Sequence, residues 1–302
     1  MMNNKKIFGN TLLIFVAAIW GTAFVFQRSG MEHIEPVTFS AARMSLAAVF
    51  IGAIAKIMTV KKSSDDVSGT DKDNKNTIVG GICCGAFLSI ASIFQQMGIV
   101  YTTAGKAGFI TTLYILIVPV ISFVIFKKRS PWYVWAAIVL GVIGLDLLCL
   151  NENFTLSQGD TLICICAVLF SGHILCCDHF AKRGDPVKIA SIQFMTAAVI
   201  SWIASFIMET PDPDKIVSAL IPIVYCGIVS GGAGYTLQMV AQKYTDPTSA
   251  SLIMSLESVF AVIAGALILH ERMSHRELIG CVIMFLAIIL VQLPVPEKVV
   301  EK

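Results

Sequence analysis

Charged side chains are scarce in this chain. Asp, Glu, Lys and Arg make up 14% of its 302 residues, whereas a soluble domain carries about 25%. Hydrophobic residues account for 56%, and the mean hydropathy is +0.79. The net charge of +2 comes from basic residues in short loops rather than along one stripe, so nothing indicates a nucleic-acid partner. This composition argues against an ordinary soluble protein and indicates that most side chains face lipid or other helices.

Motifs for cofactors and metals are also lacking. The stretch Ser230-Gly231-Gly232-Ala233-Gly234 has no Lys-Ser/Thr sequel, which argues against a phosphate-binding loop. Most of the nine cysteines lie within apolar runs, where a free thiol behaves as a small apolar residue. His173 and Asp178 are five positions apart and do not share a helix face, and a metal site needs ligands from several elements. We therefore expect no cofactor and no metal.

Apolar runs of about 20 residues, the length that crosses a bilayer, recur along the whole chain. The sequence predicts an all-α integral membrane protein with about ten transmembrane helices, at 10–29, 36–58, 77–100, 104–126, 132–150, 158–181, 186–208, 215–241, 247–269 and 275–293. A polar stretch at 61–76 predicts a flexible cytoplasmic loop. The first apolar run is too long for a signal peptide and lacks a small-residue cleavage site, so we expect no cleaved leader.

The predicted spans fall into two related halves, 10–150 and 158–293. A shift of 150 residues places Pro36-Val37 on Pro186-Val187, and a shift of 143 places Gln95 on Gln238. Because each half has an odd number of spans, the two five-helix repeats insert upside down relative to each other. Inverted repeats of this kind permit alternating access to a substrate site between them.

The distribution of basic residues predicts the orientation. With the N-terminus inside, sixteen of the 22 lysines and arginines fall on the inner side and five on the outer side. The positive-inside rule therefore places both termini in the cytoplasm, and we expect a multi-pass protein of the plasma membrane. A ten-helix unit is sufficient as a monomer, and a dimer remains open.

Several short motifs resemble those of the EamA-type drug/metabolite transporters, and the resemblance covers nearly the whole chain. The motifs are Ile19-Trp20-Gly21-Thr22, Arg43, Thr111-Thr112-Leu113-Tyr114 with Pro119, Leu256-Glu257-Ser258, and His270-Glu271-Arg272-Met273-Ser274 with Gly280. The first repeat departs from the pattern, with Lys127-Lys128-Arg129-Ser130 in place of the acidic turn, and Ser258 replaces a frequent proline. The resemblance implies transport, often export, of small metabolites such as amino acids or related compounds.

Glu257 is the strongest candidate for a transport residue, because a charged group within a span is costly unless it is paired or hydrated. We predict that it faces a central cavity and binds a substrate amine or a coupling proton. The alternative is a carboxylate that only packs helices together.

Other candidates are polar or aromatic residues within spans. Gln95 and Gln238 occupy equivalent places, where they could bind a polar substrate or hold helices together. His173 is a further pathway candidate. Rings within spans predict an aromatic cavity lining, with core packing as the alternative; these are Trp20, Tyr114 and Tyr235. For Arg43 we expect snorkelling to the interface, with pairing to Glu257 or to a substrate carboxylate as the alternative.

Glycines at four-residue spacing allow close helix packing and could serve as hinges; they are Gly81 and Gly85 in the third span and Gly227 and Gly231 in the eighth. The sequence thus predicts a secondary transporter with a small-molecule substrate rather than an enzyme. A channel or facilitator, an intramembrane enzyme and a structural subunit remain alternatives. A channel would not need Glu257, and an enzyme would need a converging catalytic set that only His173 and Asp178 approach.

Overall fold

The computed structural model describes residues 2–62, 71–127, 131–149, 157–245 and 247–291. Every regular element in these ranges is a helix. The first half holds α1 Met2–Gly30, α2 Pro36–Lys62, α3 Asp71–Ile99, α4 Ala104–Thr111, α5 Tyr114–Phe126 and α6 Trp132–Cys149. The second half holds α7 Gln158–Ala181, α8 Pro186–Met208, α9 Pro213–Ser218, α10 Leu220–Val224, a π-helix Tyr225–Tyr235, α11 Thr236–Gln242, α12 Pro247–Met254, α13 Glu257–Ile268 and α14 His275–Val291.

Seven helical segments of the described chain are long and apolar enough to cross a membrane. They include the combined segments Ala104–Ile125 and Leu220–Gln242. The other predicted spans correspond to the shorter helices α6, α12 with α13, and α14. The predicted all-α membrane fold is therefore confirmed.

Several boundaries differ from the sequence prediction, among them the start of α1 at Met2 rather than at 10. The eighth membrane segment begins at Leu220 rather than at 215, because the separate short helix α9, capped by Asp212, occupies the preceding residues. Helices α2 and α3 also extend into the predicted loop 61–76, as far as Lys62 and from Asp71. A helix can continue beyond the apolar layer because its backbone hydrogen bonds are internal. Residues 63–70 of that loop lie outside the described ranges.

Helix packing repeats itself across the two halves. Helix α2 packs on α8, α6 on α14 and α4 on α13, and each of these pairs joins equivalent spans. Helix α3 packs on α7 and α8, and the π-helix packs on α1 and α2 in the same way. Exchanging the halves leaves this set of pairings unchanged, which is the pattern expected of duplicated repeats about an approximate two-fold axis.

Candidate functional site

The fourth and ninth spans both tighten at equivalent positions near their middle. In the fourth span, the Leu113 amide donates to the Ile110 carbonyl at 3.1 Å, and in the ninth the Leu256 amide donates to the Ile253 carbonyl at 3.2 Å. These bonds reach back three residues, as in a 3₁₀ turn, which often marks a functional point within a helix. The new helices that follow begin at Tyr114 and Glu257.

Tyr114 and Glu257 contact each other across the centre of the molecule. The tyrosine hydroxyl donates to Glu257 Oε1 at 3.0 Å, and both side chains are 3% exposed. The shift of 143 residues that superposes the two Gln residues also places Tyr114 on Glu257. The bond therefore joins equivalent positions of the two repeats, so it lies close to the approximate two-fold axis.

A cavity surrounds this pair, and its empty space of about 450 Å³ includes a part that is open to solvent. Its lining residues come from both halves of the chain. They are Trp20, Ala23, Phe24, Gln27, Arg43, Gln95, Thr111, Tyr114, Phe170, His173, Ile174, Ser230, Tyr235, Gln238 and Glu257. All seven predicted pathway residues therefore line one cavity, and their part in transport stays a prediction.

Much of the cavity lining obeys the repeat symmetry. The shift of 150 residues places the α1 residues that face the cavity on those of α7: Trp20 on Phe170, Ala23 on His173 and Phe24 on Ile174. The two halves thus contribute equivalent positions with different side chains.

Aromatic rings form one wall of the cavity. Tyr235 lies 4.5 Å from Trp20 and 5.7 Å from His173 between ring centroids. The Trp20 indole Nε1 donates to the Ser230 carbonyl at 3.2 Å. Ser230 and Tyr235 belong to the π-helix, and π segments are rare and concentrate at functional sites.

Some polar atoms of the lining have no hydrogen-bond partner among the described residues. They are both side-chain polar atoms of Gln238, Oε1 of Gln27, and Nε and Nη2 of Arg43. By contrast, the Gln95 amide donates to Thr111 Oγ1 at 3.2 Å. Because its amide makes no hydrogen bond within the described residues, Gln238 does not hold two helices together, whereas Gln95 links α3 to α4. Buried polar groups are normally paired, so the unpartnered amide of Gln238 is an exception.

Arg43 does not snorkel to an interface. It is 6% exposed, lines the cavity, and its guanidinium carbon lies 5.8 Å from the centre of the Phe39 ring. The reason is packing: α8 and the π-helix cover α2, so the side chain has no short route to the surface. The predicted interfacial position of Arg43 is therefore wrong, and its side chain lines the cavity.

His173 is oriented by neighbours on its own and an adjacent helix. Its Nε2 lies 3.2 Å from Gln193 Oε1 and 3.4 Å from the Cys177 sulfur. Cys177 is in turn 3.8 Å from Cys84. Across the described residues, no three His, Cys, Asp or Glu side chains are arranged to hold a metal ion.

The predicted packing glycines lie at close helix crossings. A Cβ added at Gly81 would be 2.4 Å from the Ile192 Cβ, and one at Gly85 would be 2.5 Å from the Gln193 carbonyl oxygen. One at Gly227 would be 2.9 Å from the Arg43 carbonyl oxygen, and one at Gly231 would be 3.1 Å from the Ala47 Cβ. These glycines bring α3 onto α8 and the π-helix onto α2.

Gly21 has a similar role beside Glu257. A Cβ at this position would lie 2.3 Å from the Phe260 Cβ and 2.6 Å from the Glu257 carbonyl oxygen, so the absence of a side chain lets α1 approach the start of α13.

Sequence reasoning missed several lining residues, among them Gln27, Thr111 and Ser230. The sequence spacing could have indicated two of them. Thr111 lies one helical turn before Tyr114, and Gln27 lies one turn beyond Ala23, so each shares a helix face with a cavity residue. The exposure of Ser230 to the cavity depends on the π-helix, which has no simple sequence signature.

This architecture defines a multi-pass membrane protein with two related halves that enclose a polar and aromatic cavity. The model of the EamA-like transporter family matches residues 7–150 and 157–293. The chain belongs to the EamA-like transporter family, and it is a membrane transporter rather than an enzyme. The resemblance read from its motifs is therefore confirmed.

Relatives of similar length support this assignment. The chain is 27% identical to an uncharacterized transporter of Archaeoglobus fulgidus over 96% of this chain and 88% of the relative. It is 22% identical to the uncharacterized transporter YoaV of Bacillus subtilis over 90% and 92%. A solved crystal structure with 17% sequence identity has the same fold, with a TM-score of 0.68 over 94% of this chain and 96% of the other.

Proposed function

We propose that the protein is a secondary transporter that exports small polar metabolites, amino acids or related compounds, by alternating access between inverted repeats, 10–150 and 158–293. The observation that carries the proposal is the central cavity, which both repeats line with equivalent positions and in which buried polar groups lack protein partners. A solute that supplies those partners gains the hydrogen bonds that the protein leaves unmade.

In this proposal Glu257 is the central binding group. Its carboxyl group accepts the hydrogen bond from Tyr114 and has room on the cavity side for a substrate amine or a coupling proton. Gln238 and Gln95 supply amide groups, and Trp20 and Tyr235 supply an apolar surface for the rest of the solute. The protein lies in the cytoplasmic membrane with both termini inside, in line with the positive-inside rule.

The test is solute exchange in proteoliposomes that contain the purified protein. A pooled panel of amino acids and amine metabolites is offered with and without a pH gradient. We expect exchange that is faster with the gradient and that is lost in Glu257→Gln, because the amide binds neither an ammonium group nor a proton in the same way. The control is Glu32→Gln, an exposed carboxylate on the turn after α1.

The outcomes separate the alternatives. An exchange rate that is the same with and without the pH gradient identifies a facilitator rather than a proton-linked transporter. Full exchange by Glu257→Gln contradicts the role given to this residue. Loss of exchange in both Glu257→Gln and Glu32→Gln would indicate general sensitivity to substitution and would also count against a specific role.

A further inference from the structure

Arg43 is a buried cation whose charge the described protein does not neutralise. It is 6% exposed, and Nε and Nη2 have no hydrogen-bond partner in the described ranges. The ion pairs of those ranges join other residues. A charged group within a membrane span is costly unless it is paired or hydrated. Binding of an anion would therefore stabilise an arginine that has no ion-pair partner in this position.

The contacts of Arg43 supply only part of what a guanidinium needs. Phe39 lies at cation–π distance, 5.8 Å from ring centre to Cζ, and such a contact satisfies no N–H donor. The Cys226 thiol accepts a hydrogen bond from the guanidinium, but a neutral thiol does not balance its charge. The guanidinium carries five donors in a planar fork that matches a carboxylate with two parallel hydrogen bonds. The two unpartnered atoms, Nε and Nη2, are adjacent members of that fork.

Glu257 does not serve as the missing anion in this structure. Its Oε1 accepts the hydrogen bond of Tyr114, and no ion pair between Glu257 and Arg43 is present among the described residues. Arg43, Glu257 and Tyr235 line the same cavity. Arg43 and Glu257 therefore share one cavity without forming an ion pair, so the unpartnered donors of Arg43 are left for a solute.

We propose that Arg43 binds a carboxylate of the transported solute through its Nε and Nη2 donors, so that the cavity selects solutes bearing a carboxylate. This inference rests on the proposed transport function and names the substrate class for the same cavity. In an amino acid the carboxylate lies at Arg43, and the amino group is free to turn towards Glu257.

The position of Arg43 within the fold fits this role. A Cβ at Gly227 would come within 2.9 Å of the Arg43 carbonyl oxygen, so the π-helix is held against α2 at this residue. The equivalent position in the second repeat is Gln193, which contacts His173 instead. At this pair of equivalent positions the first repeat alone provides a cation, and a single carboxylate can neutralise it.

The experiment compares two matched pools of probes on the purified full-length protein in detergent. One pool contains aliphatic and aromatic amino acids, and the other contains the methyl esters of the same compounds, which keep the amine but lose the carboxylate. Binding is measured as the shift of the thermal unfolding temperature and as the change in tryptophan fluorescence, since Trp20 lines the cavity. We expect the acids to bind about tenfold to hundredfold more tightly than the esters.

The variants are Arg43→Gln and Arg43→Lys, with Arg28→Gln as the control. Arg28 contacts the Val100 carbonyl outside the cavity. We expect Arg43→Gln to bind acids and esters equally weakly, and Arg43→Lys to retain part of the preference because it keeps the charge but loses the fork. Arg28→Gln should keep the full preference.

Equal binding of acids and esters by the unmodified protein, or binding of neither, overturns the proposal. A full preference for acids in Arg43→Gln also overturns it. Exchange in proteoliposomes is scored separately: exchange of acids and esters at equal rates would keep the transport function and reject the carboxylate site. Preferential acid binding without exchange would keep the site and reject the transport function.

Discussion

Tyr114 and Glu257 are equivalent residues of the two repeats that contact each other in the central cavity. Their side chains occupy equivalent positions in the two repeats, yet one is a hydroxyl donor and the other a carboxyl acceptor, and they meet at 3.0 Å. Two identical carboxylates at this point would repel each other, and two tyrosines would leave no acidic group. The divergence of the repeats therefore produced a complementary pair near the axis.

The Tyr114→Phe substitution tests how much this hydrogen bond contributes. It removes the donor and leaves the buried Glu257 carboxyl without its protein partner, so we expect a loss of about 1–3 kcal/mol in the free energy of unfolding and slower exchange. Thermal unfolding in detergent and proteoliposome exchange measure the two effects. Tyr133→Phe, outside the cavity, is the control, and an equal effect of both substitutions would contradict the special role of Tyr114.

At the scale of helices, glycine contacts set how closely the spans approach. The π-helix lies against α2, where a Cβ at Gly231 would be 3.1 Å from the Ala47 Cβ. Arg43 lies on the same stretch of α2. Close packing in a membrane depends on small residues, so these contacts position the cation as well as the helices.

The Gly231→Leu substitution should push the π-helix away from α2. We expect it to lower stability by about 1–3 kcal/mol, as overpacking does, and to slow or stop transport. Gly52→Leu on α2 is the matched control, because a Cβ there would have only one neighbour within 4 Å, the Ser191 hydroxyl at 3.8 Å. Exchange with unchanged kinetics in Gly231→Leu would reject the predicted hinge or packing role.

Helix α9 is held to the α1–α2 turn by an ion pair between Lys215 and Glu35. The hydrogen bond from the Lys215 ammonium holds the pKa of Glu35 below its usual value of 4.5. A carboxyl group with a lowered pKa in the folded state adds stability above the unfolded-state pKa and loses it as the pH falls through the lowered value. The contribution is therefore present at neutral pH and lost in acid.

We expect Glu35→Gln to flatten the acid side of the stability profile. The unfolding temperature of the unmodified protein should fall more steeply than that of the variant between about pH 5 and about pH 3. Thermal unfolding in detergent across that range is the measurement. Parallel profiles for the two proteins would show that the pair contributes nothing, as many exposed ion pairs do.

Much of the helical fold could be predicted from the chain, because apolar runs and the repeat shifts are visible in one sequence. The shift of 143 residues identified Gln95 and Gln238 as equivalent, and both line one cavity. The orientation of Arg43 could not be predicted, since a span that is apolar on every side does not reveal which face meets lipid. The π-helix could not be predicted either. Its equivalent segment in the first repeat lies in the regular helix α3, so comparison of the two repeats does not indicate a π-helix.

At the scale of the whole molecule, the two ends of the bundle are similar in backbone but different in charge. At one end, Thr102 donates to Asp160 at 3.4 Å; at the other, the equivalent Thr245 donates to Asn10 at 3.2 Å. Among the described residues, the first end alone adds a cation, with Lys106 Nζ 2.9 Å from Asp160 Oδ2. We infer that the Asp160 end is held by electrostatic attraction and the Asn10 end by neutral hydrogen bonding, so the two ends open at different cost.

This asymmetry is tested by substituting residues at the Asp160 end with those found at the equivalent positions of the opposite end. Asp160→Asn alone leaves Lys106 unpaired and should cost about 1–3 kcal/mol of stability, less than for a fully buried pair because Lys106 is 17% exposed. Lys106→Ser with Asp160→Asn copies the residues at the equivalent positions of the opposite end, Ser249 and Asn10, and should cost less than the single change. The thermal unfolding temperatures of the single and double variants measure the coupling, which holds only while the pair is intact. If the double variant loses as much stability as Asp160→Asn and Lys106→Ser lose together when each is made alone, Lys106 and Asp160 act independently. The ends of the bundle would then differ in sequence without differing in the cost of opening.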